Sequence, residues 1–390
     1  MVVANSLEDF ARSVTHCLRG SGYQAFFVGG CVRDLLLGRR AKDFDVATDA
    51  RPDAILQLFP DAGLVGAHFG VVLVREGRWQ VEVATFRSDG AYSDGRRPDQ
   101  VRFVLDPKID AARRDFTINA LFLDPETNHV LDFVGGREDL AKGLIRAIGR
   151  PHDRFEEDHL RLLRAVRFAA RLGFTIEPAT LAAIVEQKQL ISLVAVERVR
   201  EELNRILTEG TGGVSLLQAT GMLGQILPEV EATPAMLARF EHAQPGELSS
   251  SLAWAALLLD TPQRSVAAIT ARLRFSQDDS DVVRDLIGNC DVLNHIGIAN
   301  RAALKRFMRD PRFEDHLTLF RLCGHHAPQL PHFRDAELHP KALLTGLDLI
   351  DLGYPQGPLY SHILSALEDA QLADELTSRE EAIRWLKARF

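Results

Sequence analysis

The apolar residues near the start of the chain fall at helical spacing. Leu7, Phe10, Ala11, Val14 and Leu18 share one side of a helix predicted over residues 5–22, with Ser6 placed to cap it and Asp9 in its first turn. The pattern then shortens to strand lengths. Phe26, Phe27 and Val28 predict a short buried strand, ended by Gly29-Gly30, where the backbone can turn sharply and approach a ligand. Arg33 and Asp34 open a helix with the apolar run Leu35, Leu36, Leu37, and Gly38 stops it. A second strand carries Asp43-Phe44-Asp45. Residues 52–59 predict a helix with Pro52 in its first turn and Thr48 or Asp49 as its cap. Strands at 70–74 and 80–86 are joined at Glu76-Gly77, another runs over 101–105, and 121–123 with 130–133 predict a closing hairpin. From Arg154 the period turns helical and stays so, with loops at Pro228, 243–249 and 326–334. Strands first and helices afterwards predict an α+β head followed by an all-helical remainder.

The polar positions cluster within that frame. Residues i and i+2 of a strand share a face, so Asp43 and Asp45 set two carboxylates side by side, close to a glycine turn able to hold a phosphate. Adjacent anions repel unless a cation lies between them, and hard divalent ions take oxygen ligands. Glu82 alternates with Val81 and Val83 and has two readings, a third carboxylate on that face or a surface glutamate on a half-exposed strand. Residues 88–99, rich in Gly, Ser and Asp, predict a mobile loop carrying Tyr92, Arg96 and Arg97. Arg113 and Arg114 call either for surface pairing or for a triphosphate.

Asp158, Arg161, Arg164 and Arg167 recur every three residues on one broad side of a predicted helix, roughly opposite Leu162, Leu163, Val166 and Ala170. A carboxylate accepts hydrogen bonds and a guanidinium only donates them. Cytosine and adenine each present an amino donor beside a ring-nitrogen acceptor, which matches an Asp–Arg pair. Guanine and uracil present the reverse order and would leave the pair unsatisfied. On the charged helix beyond, Glu197 and Arg198 either brace this segment or form a surface salt-bridge network.

Three motifs, in order, carry a family resemblance. Gly29-Gly30-x-Val32-Arg33-Asp34 with Lys42-Asp43-Phe44-Asp45, then Arg113-Arg114-Asp115-Phe116-Thr117-Ile118-Asn119-Ala120, then Glu157-Asp158-x-x-Arg161 resemble the class II tRNA nucleotidyltransferases. That family includes CCA-adding enzymes and bacterial poly(A) polymerases. The resemblance fades after about residue 215. It implies a polymerase β-like nucleotidyltransferase head over 1–149, a helical neck with a nucleotide-templating helix over 150–215, and a helical body and tail over 216–390 that binds tRNA. It implies Mg2+ held by Asp43 and Asp45, with Glu82 completing the catalytic set. Gly29, Gly30 and Arg33 would cradle the triphosphate, Arg114 would contact the nucleotide, and Asn119 would support its ribose side. Asp158 and Arg161 would select the base, while Arg164 and Arg167 orient it or neutralise phosphates. The loop with Tyr92, Arg96 and Arg97 corresponds to one that helps such enzymes switch from C to A. The expected partners are the tRNA 3′ end, CTP and ATP, with no membrane.

Composition alters this picture only locally. At 390 residues the chain is long enough for two or three domains, and 46% hydrophobic with 26% charged residues is ordinary for a globular protein. The net charge of −8 is uneven, since the first 200 residues carry 28 charges of each sign and the remainder carries 18 basic and 26 acidic residues. Phosphate binding needs a local basic surface, not a basic protein. Cys17, Cys31, Cys290 and Cys323 show no C-x-x-C spacing, which argues against zinc or a disulfide framework and fits a cytoplasmic protein. No apolar run is long enough to span a bilayer, and no signal peptide is expected. His325-His326, His332 and His339 stand without a His-Asp dipeptide in this half, so no phosphohydrolase site is expected. The alternatives are an A-adding or CC-adding enzyme, a poly(A) polymerase and a non-catalytic RNA-binding relative. The loop at 88–99 argues against CC-only addition, and Gly66-Ala67-His68-Phe69-Gly70, in place of a basic Gly-Arg-Arg-Phe-type segment, argues against a poly(A) polymerase.

Overall fold

The computed structural model describes residues 6–65, 70–92, 94–210, 212–244, 246–296, 300–325 and 330–390. Gly66–Phe69 and His326, on which two of the expectations above rest, lie outside the described residues. The chain forms two compact units, one of residues 1–232 with 272–274, the other of 233–271 with 275–390.

The first unit opens with helix α1 (Leu7–Gly20), whose cap Ser6 accepts a hydrogen bond from the Asp9 amide and whose Phe10, Ala11, Val14 and Leu18 are buried. Strand β1 (Ala25–Val28), helix α2 (Gly30–Leu36), strand β2 (Asp45–Thr48), helix α3 (Pro52–Leu58) and strands β3 (Gly63–Leu64), β4 (Val71–Glu76) and β5 (Trp79–Thr85) follow. With β8 (Phe122–Leu123) and β9 (Val130–Leu131) they build a seven-stranded sheet ordered β3-β4-β5-β2-β1-β8-β9. Only β2 and β5 run parallel in it, and every other pair is antiparallel. Phe26, Phe86, Phe122 and Phe133 pack ring against ring at 6.0–6.4 Å on one side of that sheet. Strands β6 (Arg87–Asp89) and β7 (Val101–Phe103) pair in a separate two-stranded sheet, from which the 90–100 loop projects.

Three local expectations change. Asp43 and Phe44 precede β2 instead of lying in it; on the β1 side the partner strand ends at Val28, opposite Asp45, where the chain turns at Gly29. Neither Thr48 nor Asp49 caps α3. Thr48 donates to the Gln24 carbonyl at 2.6 Å, and Asp49 accepts from the Gln24 amide at 2.8 Å. The strand at 101–105 ends at Phe103, leaving Leu105 exposed.

Helix α4 (Pro107–Ala112) and a 3-10 turn over Thr117–Asn119 lead to β8. Helix α5 (Gly136–Lys142), strand β10 (Leu144–Ile145), helix α6 (Pro151–Glu157) and helix α7 (Arg161–Leu172) come next. The predicted continuous helix is broken at 158–160. Asp158 adopts extended backbone, and its side chain accepts from the Leu160 amide at 3.2 Å, a local turn that competes with the helix. Strand β11 (Thr175–Ile176) pairs parallel with β10, and helix α8 (Pro178–Gln187) is capped by Glu177. Helices α9 (Val196–Glu209), α10 (Gly213–Ala219) and α11 (Met222–Ile226) complete the unit.

The second unit is helical throughout its described residues. It holds α12 (Pro234–His242), α13 (Ser250–Leu258), α14 (Gln263–Arg272), α15 (Gln277–Gly288), α16 (Val292–Ile296), α17 (Arg301–Met308), α18 (Phe313–Leu322), α19 (Asp335–Leu338), α20 (Gly346–Asp351), α21 (Pro358–Leu372) and α22 (Arg379–Arg389). One core cluster gathers Leu344, Leu349, Ile363, Leu367 and Leu386, and another gathers Leu293, Leu304, Phe320 and Phe333. No described helix is long and apolar enough to cross a membrane.

Candidate active site

Two of the expected carboxylates stand on neighbouring strands near the centre of the sheet. In parallel strands, residues in register point to the same side, and Asp45 of β2 stands opposite Glu82 of β5. On the other side of β2, the end of β1 delivers Gly29, with φ +79 and ψ −133. A side chain there would begin 3.8 Å from Asp45 Oδ2 and 3.6 Å from Arg114 Nη1, which is ordinary contact, so it is the backbone conformation that calls for glycine. Although Asp43 lies outside β2, the alternation holds: Asp43 and Asp45 are exposed, Phe44 and Val46 buried. Phe44 anchors the segment edge-on against Phe27 at 5.1 Å. The Asp45 carboxyl is pushed up to about 6, first by desolvation, then by the charge of Glu82, with Asp43 adding and Arg114 opposing.

Around it runs a chain of charge-assisted bonds. Arg33, buried at 2% exposure, donates to Asp34 at 2.8 Å and to Asn119 Oδ1 at 2.7 Å. Asn119 Nδ2 donates to Asp115 at 3.2 Å, and the other Asp115 oxygen accepts both Nε (3.0 Å) and Nη2 (2.5 Å) of Arg164. Burial raises the Asp115 carboxyl, but the Arg164 guanidinium overcomes it and holds the group down at about 2. Asp110, at the start of this segment, accepts from Arg113 at 2.7 Å and Arg114 at 2.9 Å. Arg167 and Glu202 of α9 pair at 2.5 Å, each 5% exposed. The Phe168 ring lies 5.3 Å from the Arg33 and Arg164 guanidiniums and 4.3 Å from that of Arg167, an aromatic hub for three cations.

A cavity of about 400 Å³ opens over this network, lined among others by Gly29, Gly30, Arg33, Asp45, Arg114, Asn119, Asp158, Arg161, Arg164 and Arg167. The structure therefore brings ten of the expected residues to one cavity. Asp43 lines an adjoining cavity of about 300 Å³, and Glu82 lines neither. At the far end, Arg198 of α9 reaches Asp158 at 3.4 Å, as one reading of that helix expected, whereas Glu197 turns to Arg274. Arg161 donates to Glu157 at 2.6 Å, to the Arg154 carbonyl at 3.1 Å and to the Arg113 carbonyl at 3.2 Å. The Asp158 and Arg161 side chains thus share the cavity without bonding one another, while the Arg161 amide donates to the Asp158 carbonyl at 2.9 Å.

The loop side chains Tyr92, Arg96 and Arg97 do not line this cavity. Tyr92 donates to Asp89 at 2.7 Å, and the Arg96 and Arg97 amides donate to Asp94. The loop still touches the segment between α6 and α7, because the buried Gly95 accepts the His159 amide at 3.1 Å. Sequence reasoning gave no role to Asp110, Asp115, Phe168 or Glu202. Asp115 lies inside a quoted motif, but nothing in its spacing names Arg164 as its partner.

In the second unit, Asp285, Asp310 and His316 are the one group of three metal-capable side chains brought together among the described residues. Arg312 already bridges the two carboxylates at 3.1–3.2 Å. Of the expected histidine cluster, His325 stacks on Phe320 at 4.6 Å, and His339 faces Asp335.

Residues 25–146 match the family described as the poly A polymerase head domain, and residues 173–233 match one described as a probable RNA and SrmB-binding site of polymerase A. A CCA-adding enzyme of Levilactobacillus brevis is 34% identical over 387 residues, 96% of each chain. One of Enterococcus faecalis is 40% identical over 285 residues, 71% of this chain and 70% of its own. Among solved structures, the Bacillus stearothermophilus CCA-adding enzyme in complex with CTP has a TM-score of 0.75 at 28% identity, covering 99% of this chain and 98% of its own.

Proposed function

Because the chain belongs to the family of CCA-adding enzymes, we propose that it completes the CCA terminus of tRNA from CTP and ATP, with no nucleic-acid template. The observation that carries this reading is a single cavity joining a catalytic carboxylate to Asp158 and Arg161. The head, residues 1–149, carries the chemistry. The neck, 150–215, carries the protein template, and residues 216–390 hold the tRNA.

The base docks at the Asp158–Arg161 end. Asp158 accepts from the amino group of cytosine or adenine, and Arg161 donates to the neighbouring acceptor. Arg161 makes three hydrogen bonds among the described residues and has five N–H groups, so two remain for a base. Its anchors hold the guanidinium still, and an anchored pair rejects guanine and uracil because it cannot swing to follow them. Arg198 holds Asp158 from behind. The network from Arg33 through Asn119 and Asp115 to Arg164 fixes the phosphate end of the site relative to the templating helix.

Asp43, Asp45 and Glu82 offer only oxygen donors, and the Asp45 carboxyl is raised first by desolvation and then by the charges of Glu82 and Asp43. That donor set fits Mg2+. When bound, Mg2+ supplies acidity to the RNA 3′-hydroxyl and stabilises charge on the leaving pyrophosphate.

The test offers the protein tRNA transcripts ending before CCA, after C and after CC, with CTP, ATP or both, and Mg2+. All three should extend to one CCA end. Extension of the CC-ended transcript alone would assign an A-adding enzyme, and a long A ladder on unrelated RNA would assign a poly(A) polymerase. Either result overturns the reading.

A further inference from the structure

Most cations of the cleft are already committed. Arg33, Arg113, Arg114, Arg161, Arg164 and Arg167 each hold a protein oxygen at 2.9 Å or less. Three others are not. Lys42 and Arg205 are exposed, and neither makes an ion pair or a side-chain hydrogen bond among the described residues. Arg171 reaches carboxylates only at long range, Glu209 at 3.7 Å and Asp34 at 3.8 Å.

These three meet at one place. Together with Asp43 they line the cavity of about 300 Å³ that adjoins the nucleotide cavity. The two cavities share Gly30, Arg33, Asp45, Arg167 and Arg171, so one extended ligand can pass from one to the other beside Asp45. Of the acidic residues facing the space, Asp34 is bound by Arg33 at 2.7 Å and Glu209 faces Arg167 and Arg171. What remains over is a trio of cations opposite the catalytic carboxylates.

We propose that Lys42, Arg171 and Arg205 bind the β- and γ-phosphates of the incoming nucleotide and retain them as pyrophosphate. This rests on the nucleotidyl-transfer reading above. In that step the RNA 3′-oxygen bonds to the α-phosphorus and loses its proton to water. The α-phosphorus–oxygen bond toward the β-phosphate breaks, and its electron pair stays on pyrophosphate. The leaving group gains negative charge, and uncommitted cations are the groups free to meet it. An RNA backbone phosphate has the same chemistry, and the separate KM values for nucleotide and for tRNA tell the two ligands apart. Asp45 has the Gly29-Gly30 turn on its β1 side and Glu82 on its β5 side, and Glu82 lines neither cavity.

The proposal predicts base-independent effects. Lys42→Ala with Arg205→Ala, both on exposed side chains, should raise KM for CTP and for ATP about tenfold each and leave KM for tRNA unchanged. Titration calorimetry with inorganic pyrophosphate and Mg2+ reads the same site without turnover. Pyrophosphate should bind the wild-type protein, and about tenfold or more weaker to the double variant, with CMP binding unaltered. Lys42→Arg should restore most of the affinity, and Arg137→Ala, an exposed cation outside both cavities, should do nothing. A raised KM for tRNA with unchanged nucleotide KM would reassign the trio to the RNA backbone, and unaltered pyrophosphate binding would overturn the proposal. Binding of pyrophosphate by a protein that extends no tRNA would fault the reaction assigned above and leave this subsite standing.

Discussion

At the residue scale, the most informative side chain is Asp45. Its carboxyl is pushed up to about 6 by desolvation and by the carboxylates beside it, so in the absence of a cation the fold holds this group against its own preference. Removing the charge should relieve the fold while destroying the chemistry. Asp45→Asn is expected to lower nucleotide incorporation by on the order of 10³-fold with the melting temperature unchanged or raised. Asp43→Ala combined with Asp45→Ala should abolish incorporation altogether. Turnover retained at near wild-type rate, or a collapsed fold, would show that these carboxylates are structural. Gly29 makes the opposite case. At φ +79 and ψ −133 an alanine is strained by about 1–3 kcal/mol, and its methyl group would lie in contact with Asp45 and Arg114. Gly29→Ala should lose both stability in urea and affinity for CTP, and a variant that loses neither removes the glycine from the site. The placement of both residues was legible in the sequence because it is set by near neighbours, a glycine turn in one case and a strand-end alternation in the other. Glu82 was not decidable there, since its place depends on which strand lies beside β2.

At the scale of elements, helix α7 explains where legibility stops. The triplet spacing of its arginines was plain, but each arginine answers to a different element. Arg161 pairs with α6, Arg164 with Asp115, and Arg167 with α9. Those last two partners lie 49 and 35 residues away, and no local pattern encodes such a distance. The same blindness joined α6 to α7, because the Asp158 turn that separates them is made by a side chain bonding its own backbone. Pairing of this kind has a pH signature. The folded Asp115 carboxyl sits at about 2, below the ordinary 3.8, so the carboxylate form is favoured by folding. The pair therefore contributes its full stability above about pH 4 and loses it as pH falls through 2, about 2 kcal/mol in all. Urea denaturation of wild type and Asp115→Asn between pH 2 and 6 should show a gap that closes toward the acid end. A gap independent of pH would mean that Asn fails for steric reasons instead. Glu202→Ala is the harsher change, since it leaves Arg167, at 5% exposure, with only Glu209 at 4.0 Å as a counterion, and about 3 kcal/mol of stability should go with it.

At the scale of the whole molecule, the chain is two units with separate cores, and the sequence disclosed them unequally. The head was readable because its motifs carry chemistry at fixed spacing. In the helical half the recurring apolar residues announce helices without saying which ones pack together. Lys305 illustrates the point. A lone lysine on α17 reads as solvated, yet it is 1% exposed, donates to Asp374 at 2.8 Å and lies 5.1 Å from the Phe333 ring. Its charge belongs to the second unit's core, far in the sequence from any residue assigned to catalysis. Ligand and mutation should therefore act on different units. CTP at a hundred times its dissociation constant stabilises what it binds by about 2.7 kcal/mol, and hydrogen exchange should slow in β1, β2, α6 and α7 of the first unit. Asp374→Ala leaves the buried ammonium unpaired and should cost about 1–3 kcal/mol, with faster exchange in α17 and α21. Lys305→Met keeps the volume, removes the charge, and should cost less than Asp374→Ala. Neither change should move the affinity for CTP. If Asp374→Ala weakens CTP binding as much as it speeds exchange in α17, the two units do not act independently, and the catalytic reading of the head must then include the helices of the second unit.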